Sequence, residues 1–124
     1  MMEQLILHLT GDYLTQTDWM ARNKTRSTWA AFVHATVYSV PFFLIGSWQA
    51  VFVIWSTHLV IDRFGLARYV VFAKNKMTEP GLSWGDVRET GFPKDTPEWM
   101  SIMLLVIADN TLHLAINFAA LKWL

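Results

Sequence analysis

Thr57-His58-Leu59-Val60-Ile61-Asp62 closes an apolar run that begins at Trp48. His58 and Asp62 stand four residues apart, just over one helical turn, so both side chains leave the same face of a helix. The pair recurs as His8 and Asp12 in Leu7-His8-Leu9-Thr10-Gly11-Asp12, and in reverse order as Asp109 and His113. His34, the remaining histidine, sits in the middle of another apolar run. All four histidines therefore lie in hydrophobic segments, and three have an aspartate one turn away. The pattern predicts an all-α protein, a polytopic membrane bundle of about four helices with a metal site between them.

Composition points the same way. The chain has 124 residues, the length of one domain. It is 53% hydrophobic and only 16% charged, and it carries seven tryptophans; a soluble domain averages about 25% charged residues. The net charge is zero, which gives no electrostatic basis for binding a nucleic-acid duplex. The lack of cysteine excludes disulfides, thiolate zinc sites and a cysteine nucleophile. Glu3 stands where a cleaved signal peptide would carry positive charge, so the N-terminus does not read as one.

Four helices are predicted, over about 2–21, 27–46, 48–73 and 97–123, with a polar loop at 74–96, all in one membrane-embedded domain. The first is too polar and too short to span a bilayer alone. The second carries Pro41, which should kink it or end its regular hydrogen bonding. Gly46-Ser47 is a tight turn between two apolar runs, which implies an antiparallel hairpin. Thr96, or Asp95, is a fair cap for the last helix, with Pro97 in its first turn. Arg22, Lys24 and Arg26 precede the second helix, and Arg63, Arg68, Lys74 and Lys76 follow the third. A hairpin puts both clusters on one side, which the positive-inside rule makes cytoplasmic. The expected location is therefore the bacterial inner membrane, multi-pass, with the bilayer as partner. At ~1.5 Å per residue, Asp12, His34, His58 and Asp109 fall roughly 6–15 Å below that boundary, in one shallow slab.

A charge in hydrocarbon is costly, so intramembrane Asp and His face the bundle interior and find partners. Neutral imidazole and carboxylate are ligands for Zn²⁺, Mn²⁺ or Fe²⁺. The expected ligands are His8, Asp12, His34, His58, Asp62, Asp109 and His113, enough for one or two ions, zinc being the favoured metal. Asp12 and Asp109 are the expected catalytic groups, either one serving as general base where it is not a ligand. Gln16, Lys24 and Arg63 are the expected substrate contacts. Gln16, Tyr38 and Asn117 each lie four residues beyond a candidate ligand, where they can support that ligand by hydrogen bonding, contact substrate, or serve in ordinary interhelical hydrogen bonding.

The stretch His8-Leu9-Thr10-Gly11-Asp12-Tyr13-Leu14-Thr15-Gln16-Thr17-Asp18-Trp19-Met20-Ala21 resembles the N-terminal signature of an uncharacterised family of small bacterial and phage membrane proteins. More distantly, the His-x-x-x-Asp pairs resemble inner-membrane metal-dependent hydrolases regulated with the SOS response, and the zinc-dependent phospholipase C and P1-type nuclease group. That resemblance implies a cluster of ions held by the His and Asp set above. Those soluble enzymes also use an N-terminal Trp, where this chain begins Met1-Met2-Glu3.

The expected function is hydrolysis of a phosphoester in a lipid or nucleotide by metal-activated water. The alternatives are a non-enzymatic membrane effector, either a phage-type envelope modulator or an ion or proton conductor using the same polar stripe, and a structural subunit that pairs with another chain. A homo-oligomer is compatible with each.

Overall fold

A computed structural model describes all 124 residues, and the chain is all-α. The elements are α1 (Met2–Leu9), a π-helical turn (Thr10–Leu14), α2 (Asp18–Asn23), α3 (Thr28–Ser39), a 3₁₀ segment (Val40–Leu44), α4 (Trp48–Phe64), α5 (Ala67–Thr78), α6 (Trp84–Val87) and α7 (Glu98–Trp123). They form two compact units: Met1–Phe64 with His113–Leu124, and Gly65–Leu112.

In the first unit, the predicted N-terminal helix is broken in two. Thr15 N–H donates to Thr10 C=O at 2.9 Å, a five-residue ring that widens the turn around Asp12. Thr17 is then extended and caps α2, its hydroxyl accepting from Met20 N–H at 3.3 Å. Gly11 belongs to this wide turn for a steric reason. A Cβ there would lie 2.3 Å from Cδ2 of Tyr38, so only glycine lets the turn approach that ring.

Ser27 caps α3 in the same way, and α3 packs along α4. Pro41 acts as its sequence predicts: the helix tightens there into the 3₁₀ segment. Ser47 starts α4, accepting from Ala50 N–H at 3.1 Å and donating to the Leu124 carbonyl at 3.1 Å. The apolar core of this unit is Tyr38, Phe42, Ala50, Val51, Ile54 and Ala120, with Leu7, Val53 and Leu121 against it. α4 ends sooner than the run to residue 73 suggests, because Gly65 adopts φ +57° and stops it.

The second unit begins there. α5 continues to Thr78 and α6 forms a single turn, so the stretch expected as loop is shorter and partly helical. Tyr69 stacks on Trp84 at 4.4 Å, and Arg68 donates to the Arg88 carbonyl at 3.1 Å. Gly91 (φ +82°) leaves room where a Cβ would meet the Arg68 carbonyl at 2.5 Å.

α7 is the one helix both long and apolar enough to cross a membrane. α4 and α5 pass the same test only if taken together as one broken span.

Candidate metal centre

Four segments of the first unit deliver polar side chains to its interior. The wide turn after α1 supplies Asp12, α3 supplies His34, α4 supplies His58 and Asp62, and the end of α7 supplies His113; all five are buried. On α4 the pair follows directly from regular helix geometry: His58 Nε2 is 3.2 Å from Asp62 Oδ2.

Two sets of three groups lie within ligand distance of one another: Asp12 with His34 and His58, and His58 with Asp62 and His113. In the first set His34 Nε2 and His58 Nε2 are 3.0 Å apart, and Asp12 Oδ1 lies 3.2 Å from His34 and 3.5 Å from His58. Ligands about 2.0–2.1 Å from a tetrahedral ion are about 3.3–3.4 Å from each other, so this triangle has the dimensions of one tetrahedral face. Asp62 Oδ2 is likewise 3.2 Å from His34 Nε2, and Asp62 Oδ1 is 3.2 Å from His113 Nε2.

The donor chemistry fits a cation. Two imidazole Nε2 atoms that face each other can share only one proton. Asp12 Oδ1 is buried without a hydrogen bond although His34 Nε2 lies 3.2 Å away, and Asp62 Oδ2 is held by ion-pair approaches of Lys24, His34 and His58 rather than by a hydrogen bond. The Nδ1 atoms of His34 and His58 also lack one, so these rings do their polar work through Nε2 alone. A divalent ion between the groups satisfies lone pairs and carboxylates together. Burial alone would raise the Asp12 carboxyl, but the imidazole of His34, with His58, Lys24 and His8, outweighs it and holds the pKa below the usual carboxylate value.

A second ring of contacts holds these groups. Tyr38 stacks on His58 with ring centroids 3.7 Å apart. Its hydroxyl is 2.7 Å from His8 Nδ1 and accepts from Asn117 Nδ2 at 2.6 Å. Tyr38 and Asn117 thus support the centre, one of the roles their spacing allows. His8 stands a step back from the triads, its Nδ1 3.5 Å from Asp12 Oδ2. Lys24, just past α2, places Nζ 2.9 Å from Asp62 Oδ2, largely out of solvent.

The remaining expected residues go elsewhere. Asp109 lies in the second unit and belongs to neither triad. Gln16 turns back on its own turn, donating to the Asp12 carbonyl at 3.1 Å. Arg63 donates to Thr28 Oγ1 at 3.1 Å and to the Thr25 carbonyl at 2.9 Å, tying the end of α4 to the loop before α3. Gln4 escaped the sequence reading. It is buried four residues before His8 and extends that stripe by one turn, which is the signal that would have found it.

Fold and site together define an all-α protein with a buried His/Asp centre able to hold a metal ion. Within that class, the chain belongs to DUF3307, a family described as proteins of unknown function, which matches residues 1–122. Neither the curated proteins nor the solved structures hold a match to the chain.

Proposed function

We propose that this protein is a membrane-embedded, divalent-metal-dependent hydrolase that acts on a phosphoester of a lipid or nucleotide. The observation that carries the reading is the Asp12–His34–His58 triangle, with edges of 3.0–3.5 Å, assembled from three separate segments in a buried interior. Asp12, His34, His58, Asp62 and His113 would hold the ion, which when bound supplies Lewis-acid activation of water and of a phosphoryl oxygen. Tyr38 and Asn117 fix the ring of His58, and Lys24 offers a positive charge to an anionic substrate group.

Immersion in a bilayer is supported by an inverted distribution of polarity. Histidine, aspartate and asparagine are inside, while Trp29, Phe43, Leu44, Trp48, Phe52, Trp99 and Trp123 are exposed. A core helix of a soluble domain would be mostly covered, whereas the apolar window of α7 is only 11% buried. Polar side chains on the helices bond back to their own carbonyls, as Thr36 does to Phe32 at 2.8 Å and Thr111 to Ile107 at 2.7 Å. In our reading α3, α4 and α7 cross the inner membrane and the centre opens toward the cytoplasm, where the cationic clusters lie.

Elemental analysis of the detergent-purified protein tests this. Wild type should carry zinc, manganese or iron, and His58→Ala/Asp62→Ala should lose it while keeping its helical content. A metal-dependent phosphoesterase screen follows. No metal in wild type after reconstitution with several ions overturns the reading.

One observation favours a second reading. His34, His58, Asp62 and His113 form a continuous acid–base chain with steps of 3.0–3.2 Å, which a proton conductor would need. That reading expects a metal-free protein that carries protons across liposomes and stops when Asp62 is replaced by Asn.

A further inference from the structure

Lys24 is the cation already seated in the centre. Its ammonium lies 2.9 Å from Asp62 Oδ2, the oxygen that His34 and His58 also approach at 3.2 Å. The side chain is 19% exposed and Asp62 is 2% exposed, so this ion pair is screened little by solvent. Resting on the metal-site reading above, we infer that Lys24 takes the place of a second metal ion: the centre binds one divalent cation, on the Asp12–His34–His58 side, and the Lys24 ammonium neutralises Asp62.

Charge sets the stoichiometry. The two triads contain only two carboxylates, Asp12 and Asp62, and their other members are histidines that must be neutral to ligate. One divalent ion together with Lys24 leaves a single positive charge over. Two divalent ions with Lys24 leave three, and uncompensated charge away from water is strongly unfavourable. The single surplus charge is what an anionic group brings into balance. The centre is thus suited to a substrate that presents one phosphoryl oxygen to the ion and another to Lys24, the arrangement that a second metal provides in dinuclear sites. Geometry agrees: the two triads share His58, so an ion in the first draws on a ligand that an ion in the second would also need, whereas Lys24 reaches Asp62 Oδ2 itself.

Zinc titration of metal-stripped protein, read by elemental analysis and by calorimetry, tests this on three proteins. Wild type should saturate at one equivalent. Lys24→Met should still bind one equivalent but bind it more tightly, because the positive charge beside Asp62 is gone. Lys24→Arg should return to the wild-type affinity. Two equivalents in wild type overturn the inference while leaving the metal site standing, as does one equivalent with unchanged affinity in Lys24→Met. No zinc in wild type overturns the metal-site reading itself. Should Lys24→Met not fold, the wild-type stoichiometry decides between one ion and two, and Lys24→Gln replaces it.

Discussion

His8–Asp12 and His58–Asp62 have the same residues at the same spacing and different fates. In α4 the helix is regular, and both members of the pair point into the centre, 3.2 Å apart. After α1 the chain widens into a π turn, and the two members separate in role. Asp12 reaches His34 and His58, while His8 binds the Tyr38 hydroxyl at 2.7 Å and keeps only a 3.5 Å approach to Asp12. Spacing of four places two side chains on one helix face. Which of them touches a ligand depends on the turn between them, and here one extra residue in the ring decides it.

The pair in α4 should therefore be the harder one to disturb. Asp62→Ala removes the carboxylate that Lys24, His34, His58 and His113 share. It takes the Asp62 carboxylate away from the largely buried Lys24 ammonium, and breaking a buried ion pair typically costs about 3–5 kcal/mol. The expected result is a protein that loses its metal and unfolds at much lower denaturant, measured by helical signal in detergent.

Gly11→Ala attacks the turn instead of the ligand. The added methyl would sit 2.3 Å from Tyr38 Cδ2, so the ring must move off His58 or the turn must open. Overpacking of this kind costs roughly 1–3 kcal/mol. Metal affinity should fall with stability, since Asp12 is the next residue. If Gly11→Ala matches wild type in both, the wide turn is not what directs Asp12 inward.

His8→Gln should be milder for the metal, because His8 acts through Tyr38 and Asp12. Loss of such an outer contact typically weakens binding by about 10–100-fold without abolishing it. Calorimetric zinc affinity with the stoichiometry unchanged is the expected outcome. A lost equivalent would make His8 a ligand and erase the contrast between the two pairs.

Much of this arrangement is written locally. The apolar runs locate α3, α4 and α7, Pro41 marks the change to 3₁₀ geometry, and steps of four find Asp12, His58, Asp62 and His113. What was not legible depends on contacts distant in sequence. The break between α1 and α2 answers to the Tyr38 ring, and the end of α4 to Gly65, whose positive φ has no periodic signal. Lys24 lies in a basic stretch that reads as a topology signal or a phosphate contact. Only folding shows that its amine reaches Asp62 on another helix. Arg63 belongs to the same charge pattern and instead braces a loop.

Asp109 is the sharpest separation of pattern from position. It precedes His113 by one turn on α7 and mirrors Asp62 in sequence, yet it falls in the second unit and in neither triad. The two aspartates should therefore respond differently to the same isosteric change. Asp62→Asn keeps the shape, removes the charge and should sharply lower the affinity of the centre for zinc, since the carboxylate that balances the Lys24 charge is gone. Asp109→Asn should leave the metal equivalent and its affinity at the wild-type value in the same titration. If instead Asp109→Asn lowers the affinity as far as Asp62→Asn does, the reversed pair on α7 is a ligand pair like the one on α4. The charge argument for a single ion would then fail as well, because a third carboxylate would admit a second cation.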